Sequence, residues 1–102
     1  MIFESLHDSA KAGELLLIDG GYLRWHLRRD GVITIYEIIS TRPGAGWEML
    51  SMLIEKRAPI QAKCPQHMAH ANAWWRRHGF RLIGTETTRG GTELNGWRRE
   101  CP

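Results

Sequence analysis

Val32-Ile33-Thr34-Ile35-Tyr36-Glu37-Ile38-Ile39-Ser40-Thr41-Arg42-Pro43-Gly44-Ala45-Gly46-Trp47-Glu48-Met49-Leu50 holds the change of period on which the fold turns. Its first half, Val32–Ser40, is rich in β-branched residues and apolar on both faces. That is the composition of a strand inside a sheet. The break Thr41–Gly46 follows. From Trp47 to Arg57 the polar residues Glu48, Ser51 and Glu55 recur at helical spacing, and Trp47, Met49, Leu50, Met52, Leu53 and Ile54 cover the rest. The spacing predicts a mostly buried helix. Ala58-Pro59 ends it, because the residue before a proline is pushed out of the helical region. Ile60–Cys64 is then a short strand. Strand, helix and strand in this order call for a right-handed parallel crossover.

On the N-terminal side, Tyr22–Arg28 alternates, with Leu23, Trp25 and Leu27 on one face and Arg24, His26 and Arg28 on the other, as a half-buried strand does. Asp30-Gly31 joins it to the central strand with a strong hairpin signal. Glu14–Ile18 is a further strand, stopped by Asp19-Gly20-Gly21, and residues 1–12 are weakly patterned. On the C-terminal side, His67–His78 predicts a second helix closed by Gly79, at the position where a left-handed cap is common. Phe80–Gly84 and Thr92–Trp97 form a last pair of strands around Arg89-Gly90-Gly91. The expected fold class is α+β (mixed α/β), with a mostly antiparallel mixed sheet and two main helices.

A chain of 102 residues fits one domain, 1–102, with a core that needs no staples. Hydrophobic content of 42% and charged content of 25% set intrinsic disorder aside. No apolar run approaches the roughly 20 residues that span a bilayer. The first eleven residues carry Glu4 and Asp8 and lack the apolar stretch of a secretory signal. Cys64 and Cys101 form no C-x-x-C, so neither a disulfide framework nor a zinc site is indicated. The expected compartment is the cytoplasm, with no membrane partner. The net charge of +3 comes from eleven Arg and three Lys against eleven acids. Arginine suits phosphate and carboxylate partners.

Gly44-Ala45-Gly46 lies where a buried strand passes into a buried helix. The first N–H groups of a helix have no intrahelical partner, and the macrodipole is positive there. Glycines let the backbone approach a ligand closely. A diphosphate fits such a junction without a lysine. Pro43 fixes the chain direction, and Arg42 adds charge. The stretch is neither a P-loop, lacking G-K-[ST], nor a dinucleotide fingerprint, lacking the third glycine and the acidic residue. Two readings remain open on the residues alone: turn glycines, or a phosphate loop.

Two segments resemble the GNAT acetyltransferase superfamily. Ile38–Leu50, with Gly44-Ala45-Gly46 before an apolar helix, is similar to that family's pyrophosphate loop, R/Q-x-x-G-x-G/A. Ala71-Asn72-Ala73-Trp74-Trp75-Arg76-Arg77-His78-Gly79-Phe80 is similar to its C-terminal A-N-x-F-Y-x-x-x-G-F signature. The order of elements agrees over residues 14–98, while residues 1–12 are too short for the strand and two helices with which members usually begin. The resemblance implies acetyl-CoA as cofactor. The strands at 32–40 and 60–64 should splay, with the pantetheine arm in the gap. The backbone of Arg42, Pro43, Gly44, Ala45, Gly46 and Trp47 should hold the pyrophosphate, Ile39, Ser40 and Thr41 should also take part in binding the cofactor, and Asn72 and Trp75 should flank the pantetheine and its thioester. Two positions depart from the pattern. Thr41 stands at the R/Q position, with Arg42 beside it. Trp75 stands where the family has a tyrosine that protonates the leaving thiolate, and an indole N–H donates a hydrogen bond without delivering a proton.

An amine must be neutral to attack a thioester, so a base must take its proton. Glu37 is the first candidate: by strict alternation it shares a face with Ile33, Ile35 and Ile39, and an apolar setting raises a carboxyl pKa. The alternative is a carboxylate paired with an arginine such as Arg24. His26 lies with Arg24 and Arg28 on a polar face and reads as a solvated histidine. His67 and His70, three apart, lack a third ligand, so no metal is expected. His78 fits a helix C-terminus. Cys64 reads as a buried, inert thiol rather than a nucleophile. Arg76 and Arg77 are a solvated face or reach the 3′-phosphate of CoA. The expected activity is transfer of an acetyl group from acetyl-CoA to an amine, on a macromolecule rather than a small metabolite. The other readings are an acyl-CoA-binding module without turnover and a basic module binding nucleic acid or a partner protein. A homodimer is a further expectation, since exposed tryptophan favours self-association.

Overall fold

Asp30 and Gly31 close a hairpin, as the dipeptide leads one to expect. Gly31 takes a φ of 86°, Arg28 N–H bonds to Val32 O at 2.9 Å, and Val32 N–H bonds to Asp30 Oδ1 at 3.1 Å. The computed structural model describes residues 13–101; residue 102 and the segment 1–12, with the expectations that fall on it, lie outside them. In chain order the elements are β1 (Leu15–Ile18), β2 (Gly21–Leu27), β3 (Ile33–Ser40), α1 (Ala45–Ile54), β4 (Ile60–Pro65), α2 (Ala69–Arg77), β5 (Arg81–Thr87) and β6 (Glu93–Arg99). The strands form one six-stranded sheet in the order β1-β2-β3-β4-β6-β5. Only β3 and β4 run parallel; every other pair is antiparallel. The mixed α+β architecture expected from the sequence is what forms.

Two crossovers place the helices. One joins β3 to β4 through α1, and the other joins β4 to β5 through α2. Met49, Leu50 and Leu53 of α1 and Trp75 of α2 join one core cluster, so both helices cover the same face of the sheet. The helices meet where Gly46 opens α1: a Cβ built on it would stand 3.2 Å from Trp74 Cζ2. The core lies between this helical layer and the sheet, with Leu23, Ile33, Met49, Leu50, Leu53, Ile60 and Trp97 buried to 2% exposure or less. On the opposite face no helix lies among the described residues. Cross-strand ion pairs occupy it instead, including Arg24–Glu37 at 3.3 Å and Lys63–Glu86 at 2.6 Å.

Two expectations need correction. The first helix buries only Ala45, Gly46, Met49, Leu50 and Leu53. Trp47 and Met52 are 44% and 42% exposed, because the sheet accepts only one face of the helix. The second correction concerns the face of Glu37. In the β2–β3 ladder Trp25 opposes Ile35 while Arg24 opposes Glu37, so Tyr36 is an extra, bulged residue. A bulge reverses the alternation beyond it. Ile33 and Ile35 point to the helices, and after the bulge Ile38, opposite Leu23, continues that face. Glu37 and Ile39 therefore point to the open face, away from Ile33 and Ile35. Among the described residues no helix is long and apolar enough to cross a membrane.

Candidate functional site

The parallel strands pair over only three positions, Ile33↔Ile60, Thr34↔Gln61 and Ile35↔Ala62. Beyond them β3 runs on to Ser40 and β4 to Pro65 without meeting. The bulge at Tyr36 sits where the separation begins. The opened gap forms a cavity of about 430 Å3. A second cavity, of about 580 Å3, lies at the glycine loop. Ile38, Ala71 and Trp75 line both, so the two form one groove from the loop into the gap.

The loop end of the groove is built by backbone. Gly44 takes a φ of 83° and acts as N-cap of α1 without a side-chain cap. Ala45 N–H turns back to Arg42 O at 3.2 Å, and Glu48 N–H makes the first helical bond, to Gly44 O at 3.0 Å. Between them the amides of Gly46 and Trp47 have no carbonyl partner among the described residues. These are the orphan donors of a helix start, at the positive end of its dipole. Ser40, Arg42, Pro43, Gly44, Gly46 and Trp47 line this end. Arg42 is already occupied: its Nε donates to Asp19 O at 3.0 Å and its guanidinium pairs with Glu48 at 2.6 Å. The Glu48 carboxylate, hydrogen-bonded to it, pushes its pKa up further. Ile39, Thr41, Ala45 and Asn72 line neither cavity. Ile39 is turned out by the bulge, Thr41 N–H is bound to Gly20 O at 2.7 Å, and Ala45 is fully buried beneath the loop.

Asn72 is taken up by the fold. Its Nδ2 donates to Pro65 O at 2.9 Å and to Met68 O at 2.8 Å. Its Oδ1 accepts from Asn95 Nδ2 at 3.0 Å and from Trp97 Nε1 at 2.8 Å. All four hydrogen-bonding positions of the amide are thereby used. It fastens α2 to the end of β4 and to β6, and does not face the groove.

Trp75 does reach the groove. It is buried, crosses Trp74 edge-on at 5.0 Å and Phe80 at 4.9 Å, and walls both cavities. Cys64 also borders the gap. Burial pushes the Cys64 thiol up and the contact with Trp75 offsets part of that, so the thiol is held protonated. Ala71, Trp74 and His78 complete the α2 side of the groove. Sequence reasoning left these three out, although with Trp75 they recur at 71, 74, 75 and 78, one helical face. His78 stacks on Trp47 at 4.8 Å and meets Trp74 edge-on at 4.5 Å. Burial, and after it the Arg77 charge, lowers the His78 pKa, so this imidazole is neutral near pH 7.

On the sheet's open face, Glu37 borders the gap cavity beside Tyr36. Its carboxylate is in the ion pair with Arg24, with both side chains about a quarter exposed. The apolar surroundings expected for Glu37 are absent, and the arginine-paired alternative describes its setting. Tyr22 joins the same cluster: burial, and then its hydrogen bond to Glu37, pushes its phenol up. His26 is bound to Glu14 and stacks at 6.3 Å on Tyr36.

No family model matches the sequence, and no curated protein matches it. Solved structures do. Nourseothricin acetyltransferase matches with a TM-score of 0.72 at 20% identity, over 81% of this chain and 58% of its own. The ribosomal-protein-S18-alanine N-acetyltransferase of Escherichia coli matches with a TM-score of 0.74 at 18% identity, over 96% of this chain and 76% of its own. A GNAT family acetyltransferase of Elizabethkingia anophelis, with acetyl-CoA bound, matches with a TM-score of 0.69 at 13% identity, over 79% of this chain and 68% of its own. The chain thus spans little more than half the length of the first of these. A mixed sheet of this strand order, parting after its single parallel pair beside a glycine loop, is the GNAT acetyltransferase fold, and this chain has that fold.

Proposed function

We propose that this chain binds acetyl-CoA in the groove and transfers its acetyl group to an amine. The observation that carries the proposal is the continuity of the groove, from the unpartnered amides of Gly46 and Trp47 to the gap between β3 and β4. A diphosphate fits the first. An extended, amide-containing arm fits the second, where strand edges offer unpaired backbone groups. The apolar wall of Ile38, Ala71 and Trp75 suits a thin aliphatic chain between them. In this reading Ser40, Arg42, Pro43 and Gly44 surround the phosphates, and Arg42 reaches them by exchanging Glu48. Trp75 packs on the arm. Thr41, Ala45 and Asn72 act through the backbone and the packing that hold the loop and α2. Ile39 takes no part, and Ile38 has the place expected of it.

Glu37 is the base. It stands at the gap, and transfer to Arg24-bound carboxylate is the proton path available to an amine arriving from the open face. That face carries no helix among the described residues, which favours a large acceptor, a protein amine before a small metabolite. The fold neighbours leave this choice open: one is named for nourseothricin and another for an alanine of ribosomal protein S18.

A thermal-shift titration with acetyl-CoA, CoA and ATP in parallel tests the binding step. A ligand at about 100 times its dissociation constant adds about 2.7 kcal/mol, several degrees for a domain of this size. A shift with the CoA species and none with ATP is expected; equal response to all three, or none, would remove the proposal. Glu37→Gln tests the chemistry. An enzyme keeps its acetyl-CoA affinity and loses rate by about 100-fold or more. The second reading, an acyl-CoA-binding module without turnover, draws on the Trp75 indole and the ion-paired Glu37, and expects the variant to change nothing.

A further inference from the structure

The proton balance of acyl transfer leaves one place at this site unfilled. When an amine nitrogen bonds to the thioester carbon and the carbon–sulfur bond breaks, the nitrogen gives up one proton and the departing thiolate takes one. Glu37 is assigned the first proton under the function proposed above, on which this inference rests. The second needs a donor in the gap. Trp75 presents an N–H that is not acidic. Cys64 is walled in at 4% exposure and its S–H is turned toward Pro65 O at 3.7 Å. Lys63 is drawn off to Glu86 on the outer strand at 2.6 Å. The remaining side chains of the gap are apolar apart from one.

That one is Tyr36. As the bulged residue it is set free of the strand's alternation at the point where β3 leaves β4. It lines the gap cavity together with Glu37, Cys64 and Trp75, and it also lines the 420 Å3 cavity on the open face, between β3 and β4. It is therefore common to the two cavities, the donor's and the one open to an acceptor. Its ring is held by Arg24, 5.8 Å from the ring centroid, and by the stacked His26. No hydrogen bond of its hydroxyl is formed with another described side chain, which leaves the O–H available to a ligand.

We propose that Tyr36 is the catalytic acid of this site, donating its phenolic proton to the departing CoA sulfur. The C–N bond forms and the C–S bond breaks. The nitrogen's proton passes to Glu37 and the phenolic proton to sulfur, and exchange with solvent then returns the proton from Glu37 to the phenolate. The residue supplies from the strand what the Trp75 position on the helix does not.

The test measures CoA release from acetyl-CoA with hydroxylamine as the acceptor, alongside acetyl-CoA affinity by quenching of tryptophan fluorescence. Tyr36→Phe removes only a hydroxyl from a side chain that is 58% exposed, so the fold persists. The expected result is a fall of about 100-fold in kcat with acetyl-CoA affinity unchanged. Introducing Trp75→Tyr into the Tyr36→Phe protein should restore at least a tenfold part of the loss, by placing a phenol across the same gap. A kcat undiminished in Tyr36→Phe overturns the acid role and leaves the transferase reading standing. Binding of acetyl-CoA with no acceleration of CoA release by the unmodified protein overturns both. No binding at all removes the donor site itself.

Discussion

Asn72→Ala separates a residue that holds the fold from one that holds a ligand. The amide accepts from Trp97, a residue only 2% exposed, so its removal strands a buried indole N–H. An unsatisfied buried donor costs about 1–3 kcal/mol. The bond from Asn95 and the two to Pro65 O and Met68 O are lost as well, and water replaces them in part at about 0.5 kcal/mol each. Alanine in the first turn of α2 returns about 0.5 kcal/mol of helix propensity. The net loss is about 3 kcal/mol. A domain of this size loses about 4–8 °C of Tm per kcal/mol, so the midpoint should fall by about 12–24 °C. Urea unfolding followed by tryptophan fluorescence should give the same loss as a lower midpoint at unchanged slope. At 15 °C, where the variant remains folded, acetyl-CoA affinity should match that of the unmodified protein within threefold. A variant that melts normally and binds acetyl-CoA ten times more weakly would refute the reasoning. It would return Asn72 to the groove.

Two further outcomes follow from single positions. Gly44 holds a left-handed φ of 83° with open space around its Cβ position, so Gly44→Ala pays for backbone strain alone, about 1 kcal/mol, read as a drop of about 4–8 °C in a melting scan; an unchanged midpoint would mean that the loop is not held in this conformation. The His78 pKa is lowered in the fold, so its contribution to stability is present above the unfolded histidine value and is lost as pH falls through the folded one. Melting the protein between pH 7.5 and 5 should show that loss, and His78→Phe, which keeps a ring between Trp47 and Trp74, should flatten it; equal slopes for the two proteins would contradict the burial of this imidazole.

Much of the fold could be read along the chain, and the reasons are local. Asp30-Gly31 closes a hairpin because only its own φ and side-chain oxygen are needed. The stripe of Glu48, Ser51 and Glu55 marks a helix through contacts three and four residues apart. The loop at 42–47 was legible for the same reason: a glycine N-cap and the orphan amides behind it depend on the first turn alone. At the site, the loop and Trp75 border the groove, where short-range patterning puts them. The positions of Ile39, Asn72 and the face of Glu37 are each decided by a partner distant in sequence.

The sequence by itself determined the element order, the parallel crossover over residues 32–64 and the place where a helix opens onto glycines, because periodicity and turn chemistry act over a few residues. Tertiary structure decided which side chains meet. The bulge at Tyr36 exists only in the pairing of β2 with β3, and it exchanges Ile38 for Ile39 in the groove and sends Glu37 to Arg24. Asn72 is consumed by Trp97 and Asn95, more than twenty residues away, which only the docking of α2 on β6 brings near. The groove itself is the space left when two parallel strands stop pairing after three residues, a property of the sheet's geometry rather than of any one segment.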